Sequence, residues 1–457
     1  MSKRSSQREA RIDTEASASA PPTSRQRLVG LYDAAIAASS PGDLTARAVD
    51  GLSISRDSQV WVFAFGKAAH PMAKAAVGSL LRSLHSIVGG VVVGPDEMPS
   101  PYPTLASLRG DHPLPGRHSF AAAAKIAEVT PGHRSNDTAI VLLSGGTTSL
   151  IGAPLKGMSE ADLTSLYELL LGSGLDIKSM NAVRKRFSRW GAGRLALALA
   201  PAATHCFAVS DVANDDLSVI GSGPCSPDTN SASDVEALLE RCGLLSKLPQ
   251  TYREYLTAVR RGTIPDTPNK NHPAFAHVSA RVIANNRNAV DGAATAARES
   301  ALDVEVSKPR LSDEASRAGE TIARHLIARR AAGARNHVSI WGGETTVTLA
   351  DSRAGPSGGG RCQELALAAA RVLHEAGDAA AGITLIAAGT DGRDGATDAA
   401  GAIIDGGTWN AILATGRDPA HALSAHESNG ALRAGGALIG RRETGTNVND
   451  IVAGLIE

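Results

Sequence analysis

The sequence predicts an α/β protein of two domains, a Rossmann-like domain on a largely parallel sheet followed by a C-terminal α/β domain, with the functional cleft between them. Three observations predict it. At 457 residues the chain exceeds one ordinary core. Short β-prone runs alternate with helix-length amphipathic segments, which is the pattern of βαβ units. Several of those runs end in glycine-rich polar turns, beyond the carboxyl ends of strands, where parallel sheets hold their ligands.

Residues 1–25 are rich in Ser, Ala and Arg, contain Pro21-Pro22 and lack an apolar h-region, so a disordered tail is expected rather than a secretory signal. Glu9, Asp13 and Glu15 disfavour an organellar transit peptide. Leu28 to Ala38 has helical apolar spacing, and Val60 to Phe65 is a β-prone run ending in Gly66-Lys67-Ala68-Ala69. Met72 to Leu84 reads as helix, Ile87 to Val93 as strand and Phe120 to Val129 as helix. Thr138 to Leu143 is a strand broken by Ser144-Gly145-Gly146. Leu163 to Leu171 and Met180 to Ala200 are helical stretches, and Cys206 to Val209 is a strand running into Ser210-Asp211. The polar, proline-punctuated segment Pro265 to Pro273 marks the expected boundary, giving domains over 26–266 and 273–457. Beyond it, Val278 to Ala284, His337 to Trp341 and Ile383 to Ala388 read as strands. Ala289 to Glu299, Arg317 to Ala332 and Leu365 to Glu375 read as helices.

Lys plus Arg equals Asp plus Glu, 46 each, so no overall field draws the chain to nucleic acid or a membrane. Aromatic content of 3% argues against base-stacking platforms, and no apolar run approaches the roughly 18 residues of a membrane span. Cys206, Cys225, Cys242 and Cys362 form no CxxC pair, which fits a reducing cytoplasm.

Charge recognition must therefore be local. The turn Ser144-Gly145-Gly146-Thr147-Thr148 follows a strand and precedes a helix start, a geometry that offers N–H groups to an anion, although it lacks the lysine of a Walker A loop. Lys67 stands at another strand end and can neutralise a phosphate. Asn181, Arg184 and Lys185 share one helical face and suit a carboxylate or phosphate. Asp211, Asp215 and Asp216, with Ser222-Gly223 behind them, can hold Mg²⁺ or accept a proton. Arg361 follows three glycines and can reach a phosphoryl group, while Glu344 and Asp391 end strands as metal or hydroxyl contacts. Gly191-Ala192-Gly193-Arg194-Leu195-Ala196 matches the dinucleotide fingerprint GxGxxA, with Asp211 about twenty residues on. It follows a helix rather than a strand, so that reading is rejected.

In order along the chain, these segments resemble the bacterial-type glycerate 2-kinase family, whose C-terminal half is the MOFRL domain. The resemblance spans Gln26 to Glu457. In the first half it rests on Gly66-Lys67-Ala68-Ala69, His112-Pro113-Leu114-Pro115, Ser144-Gly145-Gly146, Asn181-Ala182-Val183-Arg184-Lys185, Ser210-Asp211-Val212 and Ser222-Gly223-Pro224. In the second half it rests on Gly342-Gly343-Glu344-Thr345-Thr346, Gly359-Gly360-Arg361, Gln363-Glu364, Gly389-Thr390-Asp391-Gly392 and Thr444-Gly445-Thr446-Asn447-Val448. It implies phosphorylation of D-glycerate at the 2-hydroxyl by ATP and Mg²⁺, with Lys67 and Arg361 as the catalytic cations. Asp211 is then expected to orient or deprotonate the acceptor hydroxyl. Ser144, Gly145, Gly146, Thr147, Thr148, Ser222 and Gly223 would hold the nucleotide's phosphates, Asn181, Arg184 and Glu344 the substrate, and Asp391 the metal. The expected partner is a small glycerate-like acid, with a homodimer as one compatible assembly.

Three departures from the family pattern bear on the acceptor. Cys362 stands where the family has asparagine, Thr147-Thr148-Ser149 replaces Gly-Ser-Ala, and Arg442-Glu443 replaces Gly-Pro. A larger sugar acid is the alternative acceptor. An NAD(P)H-dependent hydroxypyruvate reductase and a non-catalytic sugar-acid sensor are the alternative classes. The first would need a dinucleotide fingerprint in strand context, and the second would not need Lys67 and Arg361.

Overall fold

A computed structural model describes residues 22–348 and 358–457. The expected tail lies outside the described residues up to residue 21. Ser24 and Arg25 instead open the first helix, capped by the Thr23 side chain.

The first part of the chain runs α1 (Ser24–Ala38), α2 (Pro41–Asp50), β1 (Gln59–Phe65), α3 (Ala69–Arg82), β2 (Ser86–Gly94), β3 (Leu105–Arg109), α4 (Arg117–Val129), β4 (Thr138–Leu143) and α5 (Thr147–Leu150). It continues through α6 (Glu160–Leu171), α7 (Ile177–Phe187), α8 (Arg194–Leu199), β5 (Ala203–Val209), α9 (Ala232–Arg241), α10 (Gln250–Arg260) and β6 (Val278–Ala284). The six strands form one parallel sheet in the order β3-β2-β1-β4-β5-β6. This is the order of dinucleotide-binding folds, in which the crevice opens where the order reverses, here between β1 and β4. The β4 run Thr-Ala-Ile-Val-Leu-Leu is buried along its whole length, as a strand covered on both faces must be.

The second part runs α11 (Asn286–Glu299), β7 (Asp303–Val306), α12 (Ala315–Ala331), β8 (His337–Gly343), α13 (Arg361–Ala376), β9 (Ile383–Gly389) and β10 (Ala399–Asp405). It ends with α14 (Thr408–Leu413), α15 (Pro419–Ser424), α16 (Ser428–Ala434), β11 (Leu438–Gly440) and β12 (Asp450–Ile456). Its sheet is mixed, ordered β11-β10-β9-β12-β8-β7, and only β7–β8 pair in parallel.

Four cores order these layers. One covers an outer face of the first sheet with α4 and α8 (Phe63, Val91, Ile126, Leu195). The largest fills the space between the sheets with α1, α2, α3 and α11 (Leu31, Val62, Met72, Ala293, Ile451). A third packs α12 and α13 on the far side of the second sheet. The fourth is a satellite of α6, α7, α9 and α10 around Tyr167, Phe187 and Tyr252.

Two expectations differ from this arrangement. A division at 266–273 would sever β6 from its own sheet, because β6 pairs with β5 from Val278 to Ala284. The polar segment before β6 is a crossover, and it is fastened: Asp266 pairs with Arg186 and its other oxygen accepts the Ala232 N–H at 3.2 Å. The stretch Met180 to Ala200 is not continuously helical but breaks over 188–193, between α7 and α8.

Candidate active site

The crevice between β1 and β4 is laced shut at its base. Lys67 N–H donates to Gly145 O at 2.9 Å, Ala68 N–H to Ser144 Oγ at 3.0 Å, and Ser144 N–H to Phe65 O at 3.0 Å. These bonds hold the two strand-end turns side by side and leave the Lys67 side chain exposed. Asp211, just past β5, lies against the second turn. A Cβ on Gly145 would stand 2.5 Å from Asp211 Oδ2, so only glycine lets that carboxylate approach. Burial raises the Asp211 pKa, the Lys67 charge opposes the rise, and the Glu344 charge adds to it. His112 lies by Gly146 in the same crevice. Burial and then the Lys67 charge push its pKa down, which leaves a neutral imidazole there.

Arg361 opens α13 on the opposite wall. Its Nε donates to Asp450 Oδ2 at 2.5 Å, Nη2 to Asp450 Oδ1 at 2.9 Å and Nη1 to Glu344 Oε1 at 2.5 Å. The Asp450 side chain is only 5% exposed. Burial pushes its pKa up to about 6 against the pull of the guanidinium, so it is ionised at neutral pH. Burial also raises Glu344, with Arg361 opposing. Glu344 Oε2 accepts from Asn449 Nδ2 at 2.8 Å. Asn449 has φ +69° and a buried Oδ1 with no partner among the described residues, two features that cluster at functional sites. Behind the arginine, the buried Asp394 carboxylate accepts the N–H groups of Cys362 at 3.1 Å and Gln363 at 2.8 Å, and it also accepts from Gln363 Nε2 at 2.9 Å. It caps α13 and fixes where Arg361 starts. A Cβ at Gly360 would run into this carboxylate.

The two walls are joined through the start of α11. Ser210 N–H donates to Ala284 O at 2.8 Å. Two residues further on, the buried Asn286 donates from Nδ2 to the carbonyls of Val448 at 2.8 Å and Asp450 at 2.9 Å. Lys67 and Asp211 from one sheet thus share a cleft with Glu344, Arg361 and Asp450 from the other.

Other predicted residues are spent on the fold. Thr147 is fully buried, and its Oγ1 donates to the carbonyls of Phe65 at 2.8 Å and Ser144 at 2.7 Å. Thr148 Oγ1 bonds Ser222 Oγ at 2.9 Å. Gly223 (φ +60°) turns the chain so that its carbonyl accepts the Gly193 N–H at 2.8 Å. The Ser144 turn therefore presents backbone rather than hydroxyls. Asn181 and Arg184 lie on one helix but part ways. Asn181 lines a separate cavity, whereas the Arg184 guanidinium stacks 4.9 Å above the Tyr167 ring. Arg184 makes no ion pair among the described residues, and its Nε is buried without a partner. Burial lowers its pKa. Lys185 is not free, because its Nζ pairs with Asp228 at 2.7 Å in the interior. Asp215 accepts from Asn285 Nδ2 at 2.6 Å, and Asp216 accepts the Ser218 N–H at 2.9 Å. Asp391 caps its own turn by accepting the Arg393 N–H at 3.0 Å. Its charge acts on Tyr32 and is not among those shifting Asp211 or Glu344.

The departures are also structural. The Cys362 thiol is buried beside Arg361 and Asp450, and burial pushes its pKa up. Arg442 pairs with Asp33 and stacks 4.6 Å above Tyr32, and Glu443 pairs with Arg393 at 2.5 Å. The Arg442 pair ties α1 to the loop before β12, and the Glu443 pair ties that loop to the turn after β9. All four cysteines are free, and no helix among the described residues is long and apolar enough to cross a membrane.

His112, Asp394, Asn449 and Asp450 are not among the expected site residues, although His112 lies within one of the motifs that carry the resemblance and Asn449-Asp450 directly follow another. Their signal is pairing across the chain. Arg361 and Asp450 are 89 positions apart, so nothing local announces them.

Fold and site together define a two-part α/β enzyme with a polar cleft between a parallel sheet's switch point and a fixed arginine. The domain of unknown function DUF4147 matches residues 27–257, and the MOFRL family matches residues 337–450. The D-glycerate 2-kinase of Thermotoga maritima is 36% identical over 401 residues, 87% of this chain and 91% of that one. A putative hydroxypyruvate reductase of Agrobacterium vitis is 35% identical over 95% of both chains. The crystal structure of glycerate kinase from Thermotoga maritima superposes with a TM-score of 0.83 at 34% identity, covering 95% of this chain and 99% of that one. The chain belongs to the glycerate 2-kinase family, with a DUF4147 part followed by a MOFRL part.

Proposed function

We infer that the chain is an ATP-dependent glycerate 2-kinase, a phosphotransferase that moves the γ-phosphoryl of ATP to the 2-hydroxyl of D-glycerate. The observation that supports the reading is that Asp211 lies within the field of Lys67 on one side and, on the other, of Glu344, which holds Arg361. Phosphoryl transfer depends mostly on positioning and on charge placed where the transition state develops it. Lys67, mobile and exposed, follows the transferring group. Arg361, fixed by Asp450, offers a preset plane to its equatorial oxygens. Asp211, with a pKa raised by burial, orients the acceptor hydroxyl and takes its proton. Arg184 is a desolvated guanidinium without a counterion among the described residues, beside Tyr167, whose hydroxyl donates to Thr148 O at 3.4 Å. An acceptor carboxylate supplies the missing charge.

Magnesium accompanies ATP in such reactions. No group of three or more His, Cys, Asp or Glu suited to a metal occurs among the described residues, which fits an ion held by one or two carboxylates plus substrate phosphates. Glu344 and the orphaned Asn449 Oδ1 beside it are the oxygens that fit, in preference to Asp391. When bound, the ion offsets phosphate charge.

The test is ADP release by the purified protein with MgATP and D-glycerate, L-glycerate or four-carbon aldonates, with phosphorus NMR to locate the new ester. Turnover with D-glycerate at the 2-position is expected. Turnover of a larger acid alone would move the acceptor. The relatives named as putative hydroxypyruvate reductases favour a second reading, but the GxGxxA run follows α7 and opens α8 rather than following a strand. NADH oxidation with hydroxypyruvate and no ADP release would reverse the choice.

A further inference from the structure

A cavity of 520 Å³ lies beside the cleft, between α7, α9 and the loop after β5. Its volume is that of a small-molecule site. Ala182 on one side and Ala237 and Leu238 on the other give it apolar walls of a kind that hold a flat ring. At its edge stands the Asn181 amide, which has no hydrogen-bond partner among the described residues. Its floor is the buried Lys185–Asp228 ion pair, 2.7 Å long, with side chains 5% and 1% exposed. The paired charge makes the floor rigid and polar, and Lys178 and Arg241, which also line the cavity, make no ion pair among the described residues.

The cavity lies close to the phosphate turns. Ser218 and Val219 line it, and Ser222, which follows in the same loop, bonds Thr148. Four residue steps span at most about 14 Å. From the floor the path is shorter. A Cβ on Gly191 would touch Lys185 Cα at 3.2 Å and Ser222 O at 3.3 Å, so floor and turn flank a single glycine.

We propose that this cavity seats the base and ribose of the nucleoside triphosphate, whose phosphates then run past Ser222 and Thr148 to Lys67. The assignment rests on the kinase reading above and gives Asn181 to the nucleotide rather than to the acid. It follows from size and lining: the apolar surface of Ala182, Ala237 and Leu238 beside the free Asn181 amide suits a base, with polar and charged side chains around it for the ribose, whereas a three-carbon anion would leave most of the volume empty.

Ala237→Trp and, from the facing helix, Ala182→Trp fill the slot without touching the cleft. The dissociation constant of a fluorescent ADP analogue, measured at equilibrium without acid, is expected to rise at least tenfold in both. KM for ATP rises in parallel, and KM for D-glycerate stays within twofold. Asn181→Ala, which removes volume and so avoids overpacking, weakens the analogue three- to tenfold. Wild-type nucleotide affinity in variants that melt like wild type overturns the proposal, as does a rise in KM for the acid alone. If the wild-type protein binds the analogue but no acid releases ADP, the kinase reading fails, and the affinities of the variants still decide the cavity. If it binds no nucleotide, both fail.

Discussion

Arg361 makes three hydrogen bonds to two carboxylates, so its plane is set before substrate arrives. A lysine there would keep the charge and lose the fork. Arg361→Lys should lower kcat on the order of 10²- to 10³-fold, the scale for losing one preorganised electrostatic contact; a kcat near wild type in steady-state assays would remove Arg361 from the chemistry. The pH profile tests its partner. Asp450 titrates near 6 in the folded protein, against an ordinary value of 3.8. As pH falls through about 6 the carboxyl takes a proton and Arg361 loses its bidentate acceptor, so kcat should fall on the acid side. The sign for stability is opposite, because an acid with a raised folded pKa favours the folded state at low pH and loses that contribution as pH rises from about 4 to 6. If Asp450 causes the acid limb, Asp450→Asn should flatten it while lowering kcat overall; a limb that persists unchanged belongs to Asp211, whose pKa burial also raises. Lys67 and Arg361 were legible because glycine turns mark them locally. Asp450 and Asn449 were not, because their meaning comes from partners far away in sequence.

At the scale of elements, period and punctuation sufficed wherever a run was long and uniform. Thr138 to Leu143 and Val278 to Ala284 match their strands to the residue; the first is covered and apolar throughout, whereas the second, at the sheet edge, alternates its apolar residues with exposed Ser279 and Arg281. The misreading of Met180 to Ala200 has a definite cause. Apolar spacing continues through the segment, but the Arg194 guanidinium collects the carbonyls of Lys185 at 3.1 Å, Ser188 at 3.1 Å and Arg186 at 3.0 Å. It thereby satisfies the acceptors left open at the end of α7 and stabilises the break. The residue inside the false dinucleotide fingerprint is thus a helix terminator. Arg194→Leu strands these buried acceptors and should destabilise the fold by about 3 kcal/mol, read as a lower urea midpoint with an unchanged slope. A shift worth less than about 0.5 kcal/mol, the range of an ordinary surface substitution, would deny it that role.

At the scale of the whole molecule, the Pro265 to Pro273 segment looked like a linker because polarity and proline mark linkers and crossovers alike. What separates the cases is whether the next strand returns to the same sheet, which composition does not encode. The return of β6 places α11 between the sheets, and the Asn286 at its start reaches the two carbonyls that flank Asn449. One amide group thus sets how the second sheet's Asp450 stands relative to Asp211 on the first. Gly342 is glycine for the same reason, since a Cβ there would collide with Asn286 Oδ1. Asn286→Ala leaves both carbonyls buried and unpaired, a loss of roughly 2 to 4 kcal/mol at about 1 to 3 per group with partial relaxation. If Asn286 served stability alone, kcat at a temperature well below unfolding would match wild type once corrected for the folded fraction. If it sets the distance between Lys67 and Arg361, and the nucleotide sits on the first half as proposed, kcat per folded molecule should fall at least tenfold while the affinity for ADP changes little. That split is the expected result, because the phosphoryl group must be met from both sheets at once.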